Sequence, residues 1–191
     1  MKKVGHFLLE LMVLIERFFS IFKKPDCKIT GYDFVTALAN IKDGDILCCR
    51  TDYEFSNLFL PGWYEHIAVF YDGWVYEATT EQVRKVMFAE WMFKKDHVAI
   101  LRPVKPFTNM KDGVWFLNQC LGDPYNYNFF AVNTTKSWFC SEYAYKFLCA
   151  SIDGFAKTFE LRLRYGHETV SPNDFRQAVE SGKFNLIGEF K

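Results

Sequence analysis

The dipeptide Asp72-Gly73 constrains this chain more than any other pair of residues. It separates His66-Ile67-Ala68-Val69-Phe70-Tyr71 from Trp74-Val75-Tyr76-Glu77-Ala78-Thr79. Both runs are rich in β-branched and aromatic residues, and a two-residue Asp-Gly connection is a strong signal for an antiparallel hairpin. With those two residues as the loop, Tyr71 pairs with Trp74, Ala68 opposes Glu77 and His66 opposes Thr79. The register sets His66 and Glu77 on one face as diagonal neighbours, about 7 Å apart at the backbone, a gap their side chains can close. A carboxylate beside an imidazole fixes its tautomer and favours the imidazolium form. Taken alone, the pair reads more readily as a half-solvated polar face; a third group changes the balance.

That group is Cys140. Residues 137–149 read as a helix that begins at this cysteine, with Ser137 suited to the cap and Glu142 in the first turn, where negative charge suits the helix dipole. A sulfur there lies beside unpaired backbone N–H groups, which favour an anion, so Cys140 is a candidate nucleophile. The competing reading is a core helix: Phe139, Tyr143, Ala144, Phe147 and Leu148 make an apolar stripe, and cysteine is often buried.

Charge and cysteine usage narrow the function further. Lys plus Arg and Asp plus Glu both number 23, so no overall field favours nucleic acid. Six cysteines, at 27, 48, 49, 120, 140 and 149, show no C-x-x-C spacing, and the histidines at 6, 66, 97 and 167 are dispersed. No metal site and no organic cofactor are expected. Cys48 and Cys49 would point to opposite faces of a strand, so at least one reads as a small buried apolar residue.

Three parts are expected: an apolar helix over 1–24, a linker with a short helix over 25–41, and one domain over 42–191. The first part is basic at both ends and apolar between. Glu10, Glu16 and Arg17 interrupt the apolar run and no small-x-small cleavage site follows, which argues against a signal peptide and a membrane span. On a helix, Glu10, Arg17 and Ser20 form a narrow polar side. Such a helix suits docking on the domain, self-association or a membrane surface. The compartment stays open among membrane, envelope and cytoplasm.

Elsewhere the pattern gives a helix over 33–40, a strand over 46–50 and a loop or short helix over 52–63 as a cleft wall. Residues 80–95 read as polar and then helical, with Phe88, Trp91 and Met92 spaced to reach a core. A strand over 97–103 starts at His97, read as a surface residue, and a helix covers 109–121. The turn-rich stretch 122–128 could bring Tyr125 or Tyr127 to the site. Residues 153–168 show no pattern, Ser171 and Pro172 open a helix to about 180, and 184–187 form a last strand.

The order of motifs carries more than any one of them. Gly44-Asp45-Ile46, His66-Ile67-Ala68-Val69, Val75-Tyr76-Glu77-Ala78, Gly122-Asp123-Pro124-Tyr125-Asn126, Phe139-Cys140-Ser141-Glu142 and Ser171-Pro172-Asn173-Asp174-Phe175 follow one another. Over about 42–187 this resembles the circularly permuted branch of the NlpC-type, papain-like cysteine hydrolases, the YiiX-like proteins, with lecithin:retinol acyltransferase relatives nearby. The resemblance implies an α+β fold in which a small antiparallel sheet packs against the helix that starts at Cys140. It implies Cys140 as nucleophile, His66 as general base and then acid, and Glu77 as the group orienting the histidine. Tyr125 falls where the family has a tyrosine after a glycine-containing turn, which suggests a part in positioning substrate or an oxyanion.

The expected reaction is hydrolysis of an amide bond, in a peptide such as a cell-wall stem peptide. Two alternatives stand beside it. One keeps the chemistry on an acyl lipid, as a thiol-dependent acyltransferase or hydrolase, motivated by residues 1–24 and the aromatics Trp63, Phe129, Phe130, Trp138 and Phe139. The other is a non-catalytic binding module with the same fold.

Overall fold

The computed structural model describes residues 28–52, 62–127, 136–164 and 166–191. Residues 1–24, most of the stretch 52–63, and Phe129 and Phe130 therefore lie outside the described residues. Helix α1 (Gly31–Asn40) opens on a reciprocal cap: the Thr30 hydroxyl accepts from the Asp33 amide, and the Asp33 carboxylate accepts from the Thr30 amide. Strands β1 (Ile46–Arg50), β2 (His66–Tyr71), β3 (Trp74–Ala78) and β4 (Val83–Met87) follow, then α2 (Phe88–Met92), β5 (His97–Pro103) and α3 (Met110–Gln119). The chain continues through α4 (Cys140–Ser151), α5 (Phe155–Thr158), β6 (Arg162–Arg164), β7 (His167–Thr169), α6 (Pro172–Gln177) and β8 (Phe184–Phe190).

Six strands form one sheet in the order β4-β3-β2-β1-β5-β8, every pair antiparallel, and β6 and β7 make a separate hairpin. The β2–β3 turn has the backbone its two residues favour, with φ 49° at Asp72 and 76° at Gly73. Tyr71 pairs with Trp74 and Val69 with Tyr76, the register expected from the sequence.

Alternation along the strands sorts the core into two layers. On one face Ile46, Cys48, Ile67, Val69, Tyr76, Ala99 and Leu101 meet Tyr143, Ala144, Phe147 and Leu148 of α4. On the other Leu47, Cys49, Ala68, Phe70, Val75, Val98 and Ile100 meet Ala37 of α1 and Phe88, Trp91 and Met92 of α2. Both cysteines of the adjacent pair are thus core residues, one in each layer. Helix α3 lies against α4 at Gly113, where an added Cβ would collide with Ser151 and Phe147, so only glycine permits this approach. Full burial of Phe147 and Leu148 contributes roughly 1.5–3 kcal/mol each.

Three stretches differ from expectation. Residues 83–87 form a strand before the helix of 88–92; β4 is the sheet's edge, where Arg84 and Lys85 face solvent and hide the apolar alternation. The last strand runs on to Phe190. Residues 153–168 hold the short helix α5 and most of the β6–β7 hairpin.

Candidate active site

Cys140 is the first residue of α4, and the residue before it, Phe139, is the N-cap with extended backbone. Ser137 is not the cap, and no side chain caps this helix. The entry is held by backbone instead. Tyr125 and Trp138 form an isolated parallel bridge, in which Trp138 N–H donates to Pro124 O at 3.1 Å and Asn126 N–H to Trp138 O at 3.1 Å. The Trp138 indole also donates to Asp123 Oδ2 at 2.9 Å. The bridge sets Tyr125 opposite Trp138, two residues before the cysteine, and the N-cap residue itself makes no side-chain capping bond.

The histidine arrives from the sheet. By alternation His66 belongs with Ala68 and Phe70 on the face away from α4, but it is the first residue of β2. At the strand's end its ring reaches both Glu77 and Cys140. Imidazole Nε2 lies 2.8 Å from Glu77 Oε2, and the ring is also hydrogen-bonded to Cys140. Burial works against a charged ring here, yet the hydrogen bonds and charges of Cys140 and Glu77 outweigh it and push His66 up to about 9.

Glu77 is 1% exposed and fully engaged. Oε1 accepts from Arg84 Nε at 2.9 Å and Nη2 at 2.8 Å, and Oε2 accepts from the Trp91 indole at 2.8 Å as well as facing His66. Burial opposes its charge, but the hydrogen bond and charge of His66, with Lys95 and Arg84, hold the carboxyl well below the usual carboxylate range. A thiol, an imidazole and an ionised carboxylate are thus joined in series, an arrangement that can move a proton from sulfur to nitrogen and hold it there.

Residues 40–181 match the permuted papain-like amidase enzymes of the YaeF/YiiX, C92 family. The chain belongs to that family. Its members are papain-like cysteine amidases, and the match takes in the hairpin, the cysteine helix and α6. A crystal structure of yiiX from Escherichia coli O157:H7, titled a metalloprotein, is similar in fold. Its TM-score is 0.55 at 18% identity, over 78% of this chain and 97% of that one. No curated protein matches the sequence. Among the described residues of this amidase, no group of three or more His, Cys, Asp or Glu is placed to hold a metal ion.

Other residues of the amidase surround this series. Tyr125 is half-buried and hydrogen-bonded to the backbone and sulfur of Cys140; burial, then the neighbouring Cys140, pushes its hydroxyl well above its ordinary value, so it stays a donor. Tyr127 packs edge-on against Tyr125, with ring centres 5.2 Å apart, and donates its hydroxyl to Thr80 O at 2.8 Å. Cys48 lies buried under the site with its sulfur 3.6 Å from Pro172 O, and burial pushes this thiol well up.

The Ser171-Pro172-Asn173-Asp174 motif carries a clamp the sequence did not disclose. Asn173 Oδ1 accepts from the amides of Trp63 and Tyr64 at 2.9 and 3.0 Å, and its Nδ2 donates to Tyr64 O at 2.7 Å. This fixes the backbone two residues before His66. Gly62, at φ 107°, leaves room for the clamp, since an added Cβ there would collide with the Asn173 amide.

Two further expectations need correction. His97 is buried, not a surface residue: it faces Asp52 Oδ2 at 3.2 Å and meets the Trp63 ring edge-on. Of the aromatics offered as a lipid-binding set, Trp138 and Phe139 are buried in the core around α4, because their residues form the tight entry to the helix. Trp63 alone of the described members is exposed. Arg84 and Trp91, which grip Glu77, were also missed. Arg84 stands directly opposite Glu77 in the β3–β4 ladder, so recognising that edge strand would have found it.

Proposed function

We propose that this chain hydrolyses amide bonds through an acyl-enzyme on Cys140, with His66 as general base and acid and Glu77 orienting the ring. The cysteine sulfur, its proton held by His66, attacks the carbonyl carbon. The C–N bond breaks as His66 gives that proton to the departing amine. His66 then takes a proton from water, whose oxygen attacks the thioester, and the carboxylic acid leaves while sulfur regains its partner. The N–H of Cys140 and the Tyr125 hydroxyl are the donors assigned to the oxyanion. The observation that carries this reading is the continuous series Cys140, His66 and Glu77 at the start of a helix. A peptide amide is the substrate class that the family's amidase character favours, with cell-wall stem peptides the first candidates.

The test is alkylation by iodoacetamide, read by peptide mass for each cysteine in wild type and His66→Ala, beside a screen of peptide and acyl-lipid substrates. Cys140 should react fastest of the six and slow at least tenfold without His66. Cys140→Ala should bring amide turnover to background. An inert Cys140, or one indifferent to His66, overturns the assignment. Tyr125→Phe should lower kcat about 100- to 1000-fold with KM little changed, as loss of one oxyanion donor does. A change in KM alone would make Tyr125 a substrate contact instead.

A further inference from the structure

Helix α1 covers the sheet face opposite the cysteine helix, and its own outer side is unusual. Phe34, Ala37 and Ile41 turn to the core, as one side of a surface helix should. The other side presents Tyr32, Val35 and Leu38, which are 80%, 63% and 52% exposed. Their spacing of three keeps them in one stripe. The solvent side of such a helix ordinarily carries charge, yet the only charged residue of α1 is Asp33, which is committed to the cap. Phe93, 44% exposed, extends the apolar surface, since its ring lies 5.3 Å from that of Phe34.

The sequence that precedes α1 has matching chemistry. Residues 1–24 carry Lys2, Lys3, Arg17, Lys23 and Lys24 against Glu10 and Glu16, around an apolar run that includes Phe7, Leu8, Leu11, Leu14, Phe18, Phe19 and Phe22. Only residues 25–30 separate Lys24 from α1. Six residues span at most about 20 Å, which keeps the basic pair Lys23 and Lys24 within that reach of the start of α1. Apolar side chains with an excess of cations are the composition that binds an anionic lipid interface. Three charged side chains, Glu10, Glu16 and Arg17, interrupt the apolar run, which suits a helix lying at the surface of a bilayer better than one crossing it.

We infer that the outer face of α1 is a lipid-surface contact that acts with residues 1–24 to hold the domain on an anionic bilayer. Tyr32, Val35 and Leu38 enter the interface, and the basic residues at both ends of the 1–24 stretch meet the headgroups. The cysteine helix, on the opposite side of the sheet, then faces away from the lipid. This attachment is independent of which acyl bond the site cleaves.

The experiment is flotation of the full chain with vesicles of phosphatidylcholine alone and with about one-third phosphatidylserine. The full chain should float with the anionic vesicles and at least fivefold less with the neutral ones. Val35→Glu with Leu38→Glu should cut the bound fraction at least fivefold, with an unchanged melting temperature and an unchanged rate of Cys140 alkylation. Replacing Lys2, Lys3, Lys23 and Lys24 by Gln should remove the preference for anionic lipid. Wild-type flotation by the α1 variant would overturn the inference, as would failure of the full chain to bind either vesicle. A non-floating full chain whose dimer, measured by light scattering, falls to monomer in the α1 variant would overturn it in favour of a second copy.

Discussion

Two buried carboxylates of the same sheet, at strands two apart, are each gripped by one arginine. Asp45, just before β1, accepts from Arg102 Nε at 2.8 Å and Nη2 at 2.7 Å and from the Lys42 amide at 2.8 Å. Glu77 also accepts from Nε and Nη2 of one arginine, Arg84, but takes both on Oε1 and leaves Oε2 to His66 and Trp91. Yet burial wins at Asp45 and raises its pKa despite Arg102 and Lys42, while Glu77 is held low. The largest influence opposing burial at Glu77 is His66, which has no counterpart at Asp45. Both carboxylates have a guanidinium beside them, and Glu77 has an imidazole as well.

The largest expected effect separates the two carboxylates by function. Glu77→Gln should lower kcat/KM by about 10²- to 10⁴-fold, the range seen when the ring-orienting acid of such a triad is neutralised. Asp45→Asn should leave it within about threefold. Both should destabilise the fold by about 2 kcal/mol, less than a fully buried broken pair because Arg84 and Arg102 are partly exposed. Equal losses of activity would break the comparison.

Acid titration sharpens it, because the signs differ. The depressed Glu77 contributes stability above its unfolded pKa of about 4.3, and that contribution is lost as pH falls below it. The stability gap between wild type and Glu77→Gln should therefore be full at pH 7 and close towards pH 3. Asp45 is shifted upwards, so acid relieves its charge, and the gap to Asp45→Asn should not close. Urea midpoints across this range decide it; parallel behaviour of the two variants would mean that His66 does not set Glu77 apart.

The basic side belongs to the histidine. Its pKa, raised from about 6.5 to about 9, makes its stabilising contribution complete below about pH 6.5 and absent once pH has risen through about 9. The gap in melting temperature between wild type and His66→Ala should shrink over that window. Turnover should fall over its upper part as the proton for the leaving amine is lost. In Glu77→Gln that descending limb should move to lower pH, since Glu77 is one of the groups that raise His66. A limb that stays in place would separate Glu77 from the imidazole.

What could be read in the sequence follows the range of the signals. The hairpin was legible because Asp72-Gly73 dictates its geometry locally, and the register followed by counting. The start of α4 was legible to the residue, but its cap was not. The Ser137 reading assumed a side chain where the chain uses the Tyr125–Trp138 bridge, a contact between segments more than ten residues apart. The edge strand β4 was hidden because a strand with one partner shows solvent its charged side chains. With it went Arg84 opposite Glu77, and Trp91 beyond it. Asn173 is farther still, since its clamp on Trp63 and Tyr64 spans more than a hundred residues and has no local pattern.

Trp91 offers the smallest effect and the finest distinction between an ordinary core residue and one that positions the site. It is 2% exposed in the layer with Phe88 and Met92, so any truncation costs packing. Trp91→Phe keeps most of the ring and removes the indole donor that shares Glu77 Oε2 with His66. Loss of a hydrogen bond to a charged group should cost about 1.5–3 kcal/mol of stability. Because Arg84 still holds Oε1, Glu77 keeps its charge but Oε2 loses one of its two anchors. We expect kcat to fall about 3- to 10-fold with KM unchanged, since the indole is engaged with Glu77 rather than with substrate. If stability falls while kcat and the descending limb stay at wild-type values, Trp91 is core alone, and the orientation of Glu77 rests on Arg84 and the β3–β4 ladder.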